Sequence, residues 1–247
     1  MTRTEPEEAP VAQHGQEVTV RTMRPAPGGD EVCYASVPEI CETSASFEAD
    51  RARNRIRLVT ILVEHLRAKD SLLSDAHPPI RIAYDTLGRP RLLLGEHPGP
   101  AVSFSAAGGE VWAALCGANS DIGIDVAGSA EFPEGYPLQR VFHEEEFQQA
   151  IERTHGDPAQ AAALLWSIKE AVVKALGCAF HLADPRDLHV SQAAGKNGET
   201  ISSVRLSGKA LLRFPRTGLR PISVRSLSRA GTSLSIAAAD TPRRRTV

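Results

Sequence analysis

Three side chains in two separate segments of this sequence have the types and spacing to hold a divalent cation beside a phosphate. Asp125 stands in Ile122-Gly123-Ile124-Asp125-Val126, a carboxylate among β-branched residues. An ionised group buried alone there is costly, so either Asp125 sits at a strand end facing water or a cation compensates it. Glu170 and Lys174 lie four apart in Trp166-Ser167-Ile168-Lys169-Glu170-Ala171-Val172-Val173-Lys174, a spacing that puts them on one face of a helix. Taken singly, Asp125 reads as a solvated strand end, and Glu170–Lys174 as a surface ion pair worth roughly a few tenths of a kcal/mol. Taken together, Asp125 and Glu170 are hard oxygen ligands for Mg²⁺, and Lys174 sets a positive charge against phosphate oxygens. The usual catalytic signatures are absent: there is no GxSxG, no HExxH, no Walker phosphate loop and no GxGxxG opening a helix. None of the 8 histidines forms a metal-ligand pair at helical spacing.

For Asp125 to meet the Glu170–Lys174 pair, a strand must lie against a helix. Residues 159–177 (AQAAALLWSIKEAVVKALG) carry the strongest helical pattern, with Leu165, Ile168, Val172 and Leu176 on one apolar stripe and Gly177 as a C-terminal stop. Trp166 reads as core packing, and Lys169, on the opposite side of the turn, as solvated. Residues 143–154 (HEEEFQQAIERT) form an amphipathic helix broken at Gly156-Asp157-Pro158. Its run Glu144-Glu145-Glu146 favours the positive end of its own helix. An earlier long helix spans 48–69, with Ile56, Val59, Val63 and Leu66 on its apolar stripe. Arg51, Arg53 and Arg57 on its other faces read equally as a solvated surface and as a docking face for an acidic partner. Strands are expected at 18–23, 80–85, 102–105, 110–117, 121–127, 187–192, 201–206, 221–227 and 232–239, with turns at Leu87-Gly88-Arg89-Pro90 and Gly108-Gly109. The rhythm is α+β in two halves, residues 18–124 and 125–240. A disordered leader rich in Glu, Pro and Ala (1–17) precedes them and a short basic tail (241–247) follows.

Composition removes whole classes of function. The 247 residues carry 28 Lys and Arg against 30 Asp and Glu, a net charge of −2, which lacks the basic footprint of a non-specific nucleic-acid binder. Apolar runs such as 92–94 fall far short of the ~20 residues that span a bilayer. The acidic, polar start has no apolar signal region. Cys33, Cys41, Cys116 and Cys178 are widely spaced with no CxxC pair, against both a zinc site and a disulfide framework. The expectation is a cytoplasmic protein with no nucleic-acid or membrane partner.

The two chemistry-bearing segments also carry a resemblance. Gly123-Ile124-Asp125 followed by Trp166-Ser167-Ile168-Lys169-Glu170 and Lys174 resembles the signature of the 4′-phosphopantetheinyl transferases of the surfactin-synthetase-activating type, a G-[IV]-D strand before W-x-x-K-E-x-x-x-K. Gly88-Arg89-Pro90 resembles the family's G-[KR]-P motif, and Val102-Ser103-Phe104-Ser105 occupies the place of its N-[IV]-S-H-S strand. Arg55 stands where the family has an arginine on the first long helix, and 232–239 resembles its closing strand. The likeness runs from about residue 48 to 240. It implies two similar α+β halves, each a long helix on a small, mostly antiparallel sheet, with the active site between them. The implied reaction moves the phosphopantetheinyl arm of coenzyme A to a serine of an apo acyl or peptidyl carrier protein of polyketide, peptide or fatty-acid synthesis, leaving adenosine 3′,5′-bisphosphate.

The resemblance also implies roles. Asp125 and Glu170 would hold Mg²⁺, Glu170 would help take the serine proton, and Lys174 would neutralise phosphate charge. Arg55, Arg89, Ser105 and Lys174 would bind coenzyme A, and a single chain with both halves would act as a monomer. Two departures stand out. The second acid that the family often has two residues after the strand aspartate is Ala127 here. The segment Ser105-Ala106-Ala107 puts Ala106 where the histidine that touches coenzyme A is expected, and Ala107 at the substitute ligand position. Two carboxylates remain for the metal, which Mg²⁺ tolerates by keeping waters and borrowing substrate oxygens. The departures leave a rival reading, a transferase-like scaffold that binds coenzyme A or a carrier protein without catalysis. A purely structural α+β subunit would leave Asp125 paired with a lysine and would lack an open acidic-and-basic cleft.

Overall fold

Side chains alternate between two buried faces along the strand that carries Asp125. In β8 (Asp121–Gly128), Ile122, Ile124 and Val126 turn to one side. Gly123, Asp125 and Ala127 turn to the other, against α3 (Pro158–Ala175). The computed structural model describes residues 18–39, 47–69, 78–117, 121–180, 182–195, 199–215, 217 and 220–239. The expected leader at 1–17, the basic tail at 241–247 and Cys41 lie outside the described residues.

β8 is one edge of a five-stranded antiparallel sheet. It is followed in order by β12 (Thr232–Ala239), β11 (Ile222–Arg229), β10 (Glu199–Leu206) and β9 (Leu188–Ala194). One face of this sheet is covered by α3 and by α2 (Glu144–Arg153). β8 pairs with β12 from Asp121 to Gly128, continuous across residues 124 and 125, where the sequence places the boundary between halves. A four-stranded antiparallel sheet precedes it: β1 (Arg21–Met23), β2 (Val32–Pro38), β7 (Glu110–Cys116) and β6 (Ala101–Ala107), in that order. α1 (Phe47–Lys69) covers its outer face, where Leu58, Val59, Leu62 and Val63 meet Ala35, Val102 and Phe104. A small sheet of β3 (Ile80–Tyr84), β4 (Pro90–Leu94) and β5 (His97–Pro98) adjoins it. The inner faces of the two larger sheets pack together, with Val32, Tyr34 and Ala114 against Ile122, Ile124 and Ile236. The layers run helix, sheet, sheet, helix, and the fold is α+β.

Most expected elements fall where the sequence puts them, but β2 was not among them. Its segment Val32-Cys33-Tyr34-Ala35-Ser36-Val37 has no apolar–polar alternation because it is paired on both edges and buried on both faces. β4 and α4 (Gly208–Arg213) are likewise additions, and the first strand is confined to the end of 18–23. No helix among the described residues is long and apolar enough to cross a membrane. Cys33, Cys116 and Cys178 are buried free thiols.

Candidate active site

The site begins with a close approach. A Cβ on Gly123 would lie 2.7 Å from the Ala175 amide nitrogen and nearer still to the Ala171 carbonyl. Only glycine lets α3 rest on β8 here. The next residue on the same side of β8 is Asp125, and the close approach lets Lys174 reach it. Lys174 Nζ donates to Asp125 Oδ1 at 2.6 Å and to the Ile124 carbonyl at 3.2 Å. Asp125 is buried, whereas the Lys174 side chain keeps 27% of its surface open. Glu170, one turn earlier, is half-buried. Burial pushes the Asp125 carboxyl above its ordinary value, against the opposing pull of Lys174 and of the Ser105 hydrogen bond. Burial, then the charge of Asp125, pushes the Glu170 carboxyl up as well. The Asp125 charge thus makes ionising Glu170 costlier, a cost that a cation nearby offsets, as Lys174 does in part.

β8 is a sheet edge, so the amides on its free side need partners. β6 provides them. Ser103 Oγ accepts from Ile124 N at 3.1 Å and Ser105 Oγ from Val126 N at 3.2 Å. Serines two apart on one strand thus cap amides two apart on the other, and they join the edges of the two sheets. Ser105 also donates to Asp125 Oδ1 at 2.9 Å. Its hydroxyl is buried and engaged within the protein, positioning Asp125.

Beyond Lys174 a cavity of about 210 Å³ opens, lined among others by Arg55, Tyr84, Arg89, Phe104 and Cys178. The charged groups of its lining are basic, Arg55, Arg89 and Lys174; it is not the acidic-and-basic cleft that would set the protein apart from a purely structural subunit. Arg55 lies over the Phe104 ring, 5.4 Å from its centroid, and donates to the Tyr84 hydroxyl at 3.1 Å. Its buried Nε has no partner among the described residues. Arg89 pairs with Asp121, and its side chain crosses Gly177, where a Cβ would fall 2.8 Å from Arg89 Nη1. Gly177 also ends α3 at φ +71°, with its amide donating to the Lys174 carbonyl and that of Cys178 to Val173. A single glycine therefore closes the helix behind Lys174 and seats Arg89. Burial pushes the Cys178 thiol up to about 11, leaving it uncharged.

The reading of Lys169 as solvated is corrected. α3 is buried nearly all round, and Lys169 has no exposed surface. Its ammonium donates to Glu146 Oε1 at 2.5 Å, to the Pro185 carbonyl at 2.8 Å and to the Val141 carbonyl at 3.2 Å. Glu146 is buried too and accepts from the amides of His143 and Val190. The reading of Glu144-Glu145-Glu146 as a favourable helix end is accordingly incomplete, since Glu146 is the counter-ion of Lys169. Its position three residues after the α2 cap was visible in the sequence; its partner was not. Trp166 is half-buried against Phe180, as core packing requires.

The structure thus brings Asp125, Glu170, Lys174 and Ser105 together and places Arg55 and Arg89 around the adjoining cavity. Tyr84, Phe104 and Asp121 are additions with no sequence signal of their own. Among the described residues no group of three or more His, Cys, Asp or Glu side chains is placed to hold a metal ion. Asp125 and Glu170 fit Mg²⁺ in the restricted sense of two carboxylates whose remaining ligands are waters and substrate oxygens. Residues 121–218 match the family model of the 4′-phosphopantetheinyl transferase superfamily, ACPS. That stretch contains Asp125, Glu170 and Lys174 and leaves Arg55, Arg89 and Ser105 outside. Similar solved structures include an ACPS–CoA complex of Chronobacterium ammoniagenes (16% identity, 51% of this chain and 100% of that chain, TM-score 0.40). The holo-[acyl-carrier-protein] synthase of Neisseria meningitidis is another (21% identity, 49% and 98%, TM-score 0.38). A third is the holo-ACP-synthase of Plasmodium yoelii (17% identity, 51% and 98%, TM-score 0.40). No curated protein matches the chain.

Proposed function

We propose that this protein transfers the 4′-phosphopantetheinyl arm of coenzyme A to a serine hydroxyl of an apo carrier protein. The observation that carries the reading is Lys174, paired with Asp125 and one turn from Glu170, lining a cavity walled by Arg55 and Arg89. It is supported by the superfamily match over the segment holding the first three. Transfer breaks the P–O bond to adenosine 3′,5′-bisphosphate and forms one to the serine oxygen. Positioning and charge neutralisation are the protein's main contributions. Lys174, with an open side towards the cavity, takes the phosphate charge. Arg55 and Arg89 suit the nucleotide's phosphates, since guanidinium forks match phosphate oxygens. Glu170, in its ionised form, accepts the serine proton. Asp125 and Glu170 are the residues that would hold Mg²⁺, which supplies charge neutralisation on the diphosphate. We place the enzyme in the cytoplasm as a monomer.

The test is intact-protein mass spectrometry of an apo carrier protein incubated with this protein, coenzyme A and Mg²⁺. The expected result is a gain of one phosphopantetheinyl group that disappears with Glu170→Ala. A second reading, a non-catalytic relative that retains recognition of coenzyme A or the carrier, is favoured by Ala106, Ala107 and Ala127. No mass gain across several carriers, with folded protein and an active control enzyme, would select it.

A further inference from the structure

We infer that a buried chain of hydroxyls from Ser226 through Ser235 to Ser167 sets the position of α3 along the sheet and so places Glu170 for the transfer. Ser226 and Ser235, neither with any exposed surface, are positioning residues for the reaction. The inference deepens the proposed function and rests on its assignment of the serine proton to Glu170.

Among the described residues no hydrogen bond fixes the Glu170 carboxylate, on which burial and the charges of Asp125 and Lys174 act. Its place therefore depends on where the backbone of α3 lies. Ala171 and Ala175 rest on Gly123, and Ala161, Ala162 and Ala163 are fully buried. Such small side chains let the helix come close but do little to stop it sliding. Polar side chains fix the register instead. Ser167 Oγ donates to the Leu164 carbonyl at 2.9 Å, which uses its one proton. It must then accept from Ser235 Oγ at 2.7 Å, and Ser235 in turn from Ser226 Oγ at 2.8 Å. The chain has one direction, from β11 through β12 into α3. Two turns earlier, Gln160 Nε2 donates to Ser233 Oγ at 2.7 Å, and Ser233 Oγ lies 2.9 Å from Ser228 Oγ. The helix residues are seven apart and the strand residues two apart, so both contacts join one face of α3 to one face of β12. Ser235 is the cross-strand partner of Asp125, and Ser167 stands about one turn before Glu170. Ser167, Ser226, Ser233 and Ser235 have no exposed surface. A slip of α3 would orphan their donors and acceptors away from water. That penalty selects the one axial position that brings Glu170 and Lys174 to Asp125.

The test separates position from stability by measuring transfer kinetics, well below the unfolding midpoint, and thermal unfolding on the same variants. Ser235→Ala leaves the Ser226 proton without an acceptor and the Ser167 oxygen without a donor. It should lower the thermal midpoint by about 5 °C and kcat by about 10–100-fold. KM for coenzyme A should stay within about twofold, because Arg55 and Arg89 stand on α1 and on the turn before β4. The triple variant Ser167→Ala, Ser226→Ala, Ser235→Ala removes donors and acceptors together. Its midpoint should return to within about 2 °C of the wild type, while kcat stays low. A triple variant whose kcat returns with its midpoint overturns the inference and leaves the transferase reading standing. A folded Ser235→Ala protein with wild-type kcat, or with an effect confined to KM, does the same. No transfer by the wild-type protein, alongside an active control enzyme, overturns the transferase reading and the inference with it.

Discussion

Helix α3 carries two lysines, each paired with a carboxylate at almost the same distance: Lys169 with Glu146 at 2.5 Å and Lys174 with Asp125 at 2.6 Å. The distances do not distinguish them; their surroundings do. All three N–H groups of Lys169 have acceptors, on Glu146, Val141 and Pro185, and none of its surface is exposed. It ties α3 to the start of α2 and to the turn at Pro185–Asp187, and it has nothing left to give a ligand. Lys174 has two acceptors and an open side on the cavity. A saturated buried pair fixes structure, whereas an unsaturated pair at a cavity wall can exchange its partner. Burial holds Lys169 below its ordinary value despite the attraction of Glu146, and the proposed chemistry asks no proton transfer of it.

The largest effect expected from breaking this contrast is on stability. Lys169→Met leaves the Glu146 carboxylate buried without its counter-ion, which should cost about 3–5 kcal/mol in urea unfolding. Adding Glu146→Gln to Lys169→Met removes the orphaned charge and keeps an acceptor for one of the two amides, His143 or Val190, that Glu146 serves with separate oxygens. The double variant should recover part of the loss. A double variant no more stable than the single one would show that the cost lies in lost packing. The corresponding change on the open side, Lys174→Gln, should cost less, about 1–3 kcal/mol, because Asp125 keeps the Ser105 hydrogen bond and a neutral donor from the glutamine amide. The phosphopantetheinyl transfer rate should instead fall by about 100-fold, read as mass gain on a carrier protein over time. An unfolding midpoint that falls as far as that of Lys169→Met would erase the distinction between the two pairs.

Gly123→Ala sharpens the comparison from the strand side. Its added methyl would meet the backbone of α3 at Ala171 and Ala175, the residues that follow Glu170 and Lys174. The helix must lift, at about 1–3 kcal/mol of overpacking. The open pair should suffer first, so transfer activity and coenzyme A affinity should fall together under conditions where the protein remains folded by circular dichroism.

The same two pairs show how far the sequence could be read. α3 was legible from its apolar stripe and its Gly177 stop, and β8 from its β-branched residues. Taken singly, Asp125 read as a solvated strand end and Glu170–Lys174 as a surface pair; it was their joint fit to a cation and a phosphate, and the family resemblance, that put them together. Lys169 was misread because periodicity assigns faces only where one side of a helix meets water. α3 is Ala-rich and enclosed by β8, β12 and α2, so its polar residues point inward as well. Glu146 looked like an ordinary helix-end acid, as its neighbours Glu144 and Glu145 are exposed. β2 escaped because a strand paired and buried on both sides loses its alternation. The Arg89–Asp121 pair had no signal, as nothing local joins a turn to the first residue of a distant strand.

The smallest effect expected lies on the locked side. The ring of His189 stacks on that of His143 with centroids 4.3 Å apart and planes at 15°. His143 caps α2, the helix that carries Glu146, and His189 Nε2 lies 3.0 Å from Ser207 Oγ. Loss of water from its stacked face, then the charge of His143, holds the His189 imidazole below 6.5, with Lys169 acting in the same direction and Glu146 and Asp187 opposing. The unfolded chain therefore binds this proton more tightly than the folded one. The contribution to stability is complete above 6.5 and is lost as pH falls from there through the lowered folded value. His189→Asn should flatten the decline in melting temperature between about pH 7 and about pH 5, by ~1–2 °C. Parallel melting curves for the two proteins across that range would show that the stacked pair is not coupled to folding. Coenzyme A affinity at neutral pH should be the same in both, because His189 stands on the Lys169 side of α3 and Lys174 faces the cavity on the other. A shift in that affinity would mean that the locked pair communicates with the open one through the helix they share.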